Sequence, residues 1–209
     1  MKQIIVKTVA MIAAVCMAAP AVSATENKKD LESLEQKNVS VKGFSGTFLQ
    51  TKVLVNKKEI KSEGMLYFSN PDKMSMIYSN PEGDKFIINA GKMGITKGEK
   101  TNIFDLAKNK SMKSLAITLL YSLQGNIDDL AEACDADVDA RKTSAGWKIE
   151  LKARKKAPKG YATIELEYSP DGTIKSMRMT EFNGISTLYE MASLKKGPQT
   201  DEKVFEISK

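Results

Sequence analysis

Asp128, Asp129, Asp135, Asp137 and Asp139 form the densest group of chemically capable side chains in this 209-residue sequence. Paired carboxylates can act as general acid and as nucleophile or base, the arrangement that glycoside hydrolysis uses, so catalysis would be sought here first. The rest of the composition argues against it. There is no histidine, which removes the commonest general base and the commonest metal ligand, and a zinc site would need carboxylates almost alone. Cys134 has no base to activate it and reads as a small core residue. The aspartates also have simpler structural roles. Asp128 and Asp129 follow Gly125-Asn126 near the start of a short helix, where negative charge suits the dipole. Asp135, Asp137 and Asp139 alternate with Ala136 and Val138, as on the wet side of an edge strand. The expectation is a protein that is not an enzyme, with no catalytic residue, metal or cofactor; a small hydrolase using Asp128, Asp129 or Asp135 is the catalytic alternative.

The N-terminus sets the compartment. Lys2 to Lys7 is a positive region, Thr8 to Ala19 is apolar, and Pro20-Ala21-Val22-Ser23-Ala24 offers small residues for cleavage after Ala24. Residues 1–24 therefore read as a cleaved export signal and 25–209 as one exported domain. Cys16 follows Val15, where lipidation would want a small residue, so it is not read as an anchor. No later segment reaches the roughly 18 apolar residues of a spanning helix. Without the signal's two lysines the net charge is 30 − 26 = +4, spread over a lysine-rich surface with no stripe suited to nucleic acid. One remaining cysteine, Cys134, excludes an intrachain disulfide, so an apolar core must hold the fold.

Short strands dominate that domain. Apolar alternation and turn residues place them at about 44–55, 58–69, 73–79, 84–90, 93–97 and 100–106, an antiparallel meander. Further strands follow at about 136–143, 145–154, 161–168, 173–182 and 185–193, about eleven in all. Helical spacing appears at Asp30 to Val39, at Ser111 to Leu123 and at Ile127 to Ala133. The first should lie across the end of the sheet. Trp147, Ile149 and Leu151 share one face against Lys148, Glu150 and Lys152, and Ile164, Leu166 and Tyr168 oppose Glu165 and Glu167. Such a sheet must cover its apolar face, with the helices alone or with a ligand sharing the space. Met74 and Met76 alternate with Tyr78, and Met177 with Met179; thioethers suit a surface that repacks around variable apolar guests, and they also fill ordinary cores.

Several motifs together resemble a family. Phe44-x-Gly46-x-Phe48-x-Gln50, then Gly64-x-Leu66-x-Phe68-Ser69-Asn70-Pro71-x-Lys73-Met74, then Asn80-Pro81 and Ile87-Ile88-Asn89-Ala90-Gly91, are similar in order and spacing to the opening half of the periplasmic outer-membrane lipoprotein carriers, the LolA family. Phe205 stands where the family often has an aromatic. The resemblance weakens after residue 110. It implies a mainly β fold with helices: an unclosed antiparallel half barrel of about eleven strands, with short helices as a lid over an apolar cavity.

By the same resemblance, Phe44, Phe48, Leu66, Phe68, Met74 and Met76 line that cavity and the Leu115–Leu123 helix, with Leu119 and Leu120, forms part of the lid. Tyr78, Ile149, Leu151, Met177 and Met179 join the lipid-binding set as neighbours on the same apolar faces. The implied function is carriage: a monomeric periplasmic protein hides the acyl chains of lipoproteins between inner and outer membrane. Its partners would be acylated lipoprotein cargo, an ATP-driven (ABC-type) release complex of the inner membrane and an outer-membrane acceptor. Two departures stand out. Asn70 occupies the position where the family commonly has an arginine that helps latch the lid, and Asn70 lacks a guanidinium's fork of donors. Met76 replaces a frequent aromatic. The basic turn Lys152-Ala153-Arg154-Lys155-Lys156-Ala157-Pro158-Lys159-Gly160 is either a docking surface or a solvated strand end with gatekeeping lysines. Alternatives on the same scaffold are a periplasmic regulator that senses lipid or protein, and a carrier of glycolipids or polyene lipids.

Overall fold

The computed structural model describes residues 24–157, 160–197 and 201–208, with side chains from Asn27 onward. The expected export signal up to Ser23, with Cys16, lies outside the described residues, as do Pro158 and Lys159 of the basic turn.

Eleven strands make one antiparallel sheet: β1 (Gly43–Val53), β2 (Glu59–Ser69), β3 (Lys73–Asn80), β4 (Glu82–Asn89), β5 (Lys92–Lys97), β6 (Lys100–Asp105), β7 (Ala136–Thr143), β8 (Gly146–Ala153), β9 (Tyr161–Tyr168), β10 (Ile174–Glu181) and β11 (Ser186–Lys196). Their order is β6-β5-β4-β3-β2-β1-β11-β10-β9-β8-β7. The expected meander β1–β6 is thus matched by a second one, β7–β11, and the two join where the first strand pairs with the last. The sheet stays unclosed, with β6 and β7 as its edges.

Three α-helices among the described residues, α1 (Ala24–Asn38), α2 (Lys110–Gln124) and α3 (Ile127–Cys134), cover one face, called the inner face below. Asn109 caps α2 by accepting from the Met112 N–H at 3.1 Å, and Gly125 ends it at φ +71°, a left-handed turn that lets Asn126 cap α3 at once. α1 starts at Ala24, earlier than the expected Asp30, because Leu31 and Leu34 mark only its buried turn. Its polar first turns are held by the sheet edge. Asn27 donates to the Val138 carbonyl at 2.8 Å and accepts from the Ala140 N–H at 2.7 Å, while Asp30 accepts from the Lys142 N–H at 2.7 Å. Side chains of α1 thus pair the outer hydrogen-bonding groups of β7, blunting an edge that would otherwise recruit another strand. The Trp147 indole completes the attachment by donating to the Asp30 carbonyl at 2.9 Å.

The opposite, outer face carries the alternating charges, and at β3–β5 it also carries the C-terminal segment. Phe205, in a short 3-10 helix (Glu202–Phe205), is fully buried there; the Asn89 side chain donates to its carbonyl at 3.1 Å, Lys73 pairs with Glu202 at 2.7 Å, and Ile207 lies over Gly94.

On the inner face Phe48 of β1 and Tyr78 of β3 meet edge to face at 5.1 Å across Gly64 of the intervening strand. A Cβ on Gly64 would sit 2.1 Å from the Ile77 carbonyl oxygen. Gly64→Ala is therefore expected to force the β2–β3 ladder apart and to lower stability by about 2 kcal/mol or more, read as a shift of the urea midpoint at unchanged slope.

Candidate functional site

The residues expected to bind lipid converge. Phe44, Phe48, Leu66, Phe68, Met74 and Met76 of β1–β3 lie on the inner face at no more than 4% exposure. Ile149, Leu151, Met177 and Met179 reach the same cluster from β8 and β10, and Leu119 reaches it from α2. Tyr78, Leu115 and Leu120 border it, half-buried. Strand register explains the convergence: Phe44 stands opposite Phe68, Leu66 opposite Met76 and Met177 opposite Leu166, so apolar rows run across neighbouring strands.

Other members of the cluster were not singled out as site residues. Ile88 and Met93 are buried on β4 and β5, while Phe86, Ile95 and Phe104 are half-buried beside them. The signal was present: Phe86 and Ile88, and Met93 and Ile95, keep the two-residue period of the earlier strands.

The protein's own side chains fill the centre of the inner face, and a cleft of about 370 Å³ lies between Met112 and Leu115 of α2 and Tyr161 and Glu181. The helices close on the sheet, and the larger clefts, of about 510 and 540 Å³, are lined mainly by outward-facing residues such as Arg141, Lys148 and Glu165, or Thr47, Leu49 and Glu190.

One end of the inner face is polar. The Tyr78 hydroxyl donates to Gln50 Oε1 at 2.7 Å, and Lys97 reaches over the Tyr78 ring, 5.7 Å from its centre. Lys97 also pairs with the buried Asp84, whose second oxygen accepts from the Gly98 N–H at 3.0 Å. Burial works to raise the Asp84 carboxyl, but hydrogen bonds from Lys97 and Gly98 and the ammonium charge outweigh it and hold it below the ordinary carboxylate value. Burial pushes the Tyr78 phenol up, and Asp84 adds to the shift; Tyr161 on β9 is pushed up to about 12, first by burial and then by Glu181.

At the other end lies the fastening of α2. Asn70 donates to the Val41 carbonyl at 3.1 Å, within the connection that leads into β1, and so does not itself hold a helix. Gln124, at the end of α2, donates to the Pro71 carbonyl, and the buried Tyr168 hydroxyl donates to the Ser122 carbonyl at 2.7 Å. These are the two hydrogen bonds between α2 and the sheet or its turns among the described residues. The sequence marks neither residue as part of the site: Gln124 carries no signal in it, and the pattern around Tyr168 shows only its apolar face.

The aspartates occupy solvent-accessible, structurally explained positions. Asp128 and Asp129 are exposed in the first turn of α3, as expected. Asp135 and Asp137 take Arg154 at 3.4 and 2.7 Å, Asp139 takes Arg141 at 3.0 Å, and Lys155 lies 3.8 Å from Asp135. Arg154 and Lys155 of the basic turn are thus engaged with the start of β7. Among the described residues no cluster of carboxylates and cysteine is arranged to hold a metal. Burial raises the Cys134 thiol, against a weaker opposing effect of Thr118, which suits an inert core position.

The sequence matches the family model of the outer membrane lipoprotein carrier protein LolA over residues 39–208. The chain belongs to the LolA family. No curated protein matches it. Among solved structures it is similar to a LolA superfamily protein from Nitrosomonas europaea, at 8% identity and a TM-score of 0.42, covering 87% of this chain and 97% of that one. It is also similar to the Pseudomonas aeruginosa MucA/MucB complex, at 12% identity and a TM-score of 0.48 over 87% of this chain and 61% of that one. A third is the Mycobacterium tuberculosis lipoprotein LppX, at 9% identity and a TM-score of 0.44 over 86% and 100%. The unclosed eleven-stranded sheet with helices on one face is the fold that the family resemblance implied.

The polar end should register in acid stability. Asp84 is held below its ordinary value when folded, so its contribution is complete above the unfolded carboxylate pKa, about 4, and fades as pH falls through the lower folded value. Asp84→Asn is expected to remove that contribution, so that variant and parent differ in thermal midpoint at neutral pH and converge in strong acid.

Proposed function

We propose that this LolA-family protein carries the acyl chains of lipoproteins across the periplasm, taking them under α2 and α3 onto the inner face of the sheet. The observation that carries the reading is the apolar inner face itself, methionine-rich and continuous across both meanders, in a chain that matches the carrier family over nearly all of its described length. No helix among the described residues is long and apolar enough to cross a membrane.

The physical task is to shield hydrocarbon. Each methylene exposed to water costs about 0.8 kcal/mol, so a triacylated anchor with roughly forty methylenes faces on the order of 30 kcal/mol on leaving a bilayer unaided. The inner face and the helices are covered by each other when empty and by acyl chains when loaded. Exchanging one apolar cover for another nearly balances, which is what a carrier that must also release its cargo needs. Cargo has little polar attachment to overcome. The bonds from Gln124 to Pro71 and from Tyr168 to Ser122 contribute about 1 kcal/mol each, and they stand in for the arginine latch that Asn70 cannot provide. Met74 and Met76, fully buried with unbranched thioethers, can repack around chains of different length. The role requires binding and release without chemistry. Loading by an ATP-driven release complex and delivery to an outer-membrane acceptor follow from the family resemblance.

The direct test is incubation of the protein with lipoprotein-loaded inner-membrane vesicles and ATP; soluble complexes of lipoprotein and carrier are expected, and their absence defeats the reading. Leu115→Glu, at the partly wet border of the inner face, should cut lipid capture far more than it lowers stability, whereas equal loss of both would make Leu115 ordinary core. Removing the two fastenings together, Gln124→Ala with Tyr168→Phe, should speed exchange of a fluorescent acyl probe by about thirtyfold, as expected for about 2 kcal/mol of latch; unchanged exchange would mean that the helices are held otherwise.

A further inference from the structure

We infer that the β1–β2 hairpin is a membrane-docking element, which seats the polar end of the inner face on an anionic phospholipid surface. The inference rests on the carrier reading and adds a partner surface to it. β2 pairs with β3 only from Glu63 opposite Asn80, so Glu59–Ser62 extend past the neighbouring strand on that side. The tip is a fixed turn. The Leu54 N–H donates to the Lys58 carbonyl and the Lys57 N–H to the Leu54 carbonyl, both at 2.9 Å, and the Lys58 N–H donates to Asn56 Oδ1 at 3.1 Å. On this turn Val55 is 63% exposed and Ile60 45%, among the most exposed large apolar side chains described. Lys57, Lys58 and Lys61 are exposed around them, and Lys52 stands directly opposite Ile60. Against these stand Glu59, 3.9 Å from Lys61, and Glu63.

The register fixes which way the hairpin faces. Phe68, Leu66, Gly64, Ser62 and Ile60 form one alternating row, so Ile60 continues the inner face of the sheet outward beyond Tyr78 and Gln50. An apolar residue at that position, ringed by ammonium groups, places hydrocarbon contact next to the end through which an acyl chain would slide.

The residue types select a lipid surface over a protein. Protein interfaces are enriched in aromatics and arginine and depleted in lysine. The hairpin has neither aromatic nor arginine from Lys52 to Glu63. It has two protruding aliphatics among lysines, whose long stems and compact charges suit the boundary between acyl chains and phosphate headgroups.

Flotation of the purified protein with phosphatidylcholine vesicles, with and without phosphatidylglycerol, tests this. Binding is expected only with the anionic lipid and should weaken at high salt. Lys57→Glu with Lys58→Glu, and separately Val55→Ser, should each reduce it about tenfold or more, while urea midpoints and binding of a soluble acyl probe stay at parental values. Equal binding to neutral vesicles, or variants that float like the parent, would overturn the inference. So would loss of lipoprotein transfer in the lysine variant without any vesicle binding by the parent, which would assign the hairpin to an acidic protein. The two readings separate cleanly: a parent that binds acyl probe but no vesicles loses only the hairpin's role, and one that binds vesicles but no probe loses the carrier role.

Discussion

An unclosed sheet with one apolar face is unstable until that face is covered, and this constraint organises the whole molecule. A closed barrel would cover its interior with its own strands. Here the sheet ends at β6 and β7, so the cover has to come from helices. Three helices are short of material for eleven strands, and the shortage shows in the grading of burial. Leu66, Phe68, Met74 and Leu119 are shut in, whereas Phe86, Ile95 and Phe104 toward the β6 edge keep part of their surface in water, as do Met112 and Leu115 on α2. The partly wet residues border the dry ones without a break, so additional hydrocarbon arriving there would gain cover without disturbing what is already packed.

The sequence made the sheet legible because one-sided burial writes a period of two into every strand, and turns such as Asn183-Gly184 and Ser169-Pro170-Asp171-Gly172 punctuate it. The inner-face candidates from Phe44 to Met179 were reached by that period together with the family motifs, and the structure brings them into one cluster. Two features stayed hidden. The closure of the sheet order by β1 pairing with β11 depends on contacts between the chain's ends, which no local pattern encodes. The polar attachments depend on single side chains, Asn27, Gln124 and Tyr168, reaching backbone groups far away in sequence. The early start of α1 is hidden for the same reason: its first turns are fixed by hydrogen bonds to β7 and carry no apolar stripe.

Those attachments are unevenly shared, and the difference separates a fixed part of the cover from a yielding one. α1 is bound to β7 and β8 through Asn27, Asp30, Ser33 and the Trp147 indole, each contacting the sheet directly. Among the described residues α2 has only its C-terminal fastenings to the sheet, and α3 follows it through a left-handed glycine and ends at Asp135 in another left-handed residue. Separating α1 would bare the β7 edge and break its hydrogen bonds to the sheet, at a cost of about 0.5–1.5 kcal/mol for each. Separating the first turns of α2 breaks no hydrogen bond to the sheet among those described and exposes mainly Met112 and Leu115, which are already half-wet. Among the described residues the N-terminal half of α2 is therefore the section of the cover with the fewest polar ties to the sheet, held by apolar contacts that are already partly wet.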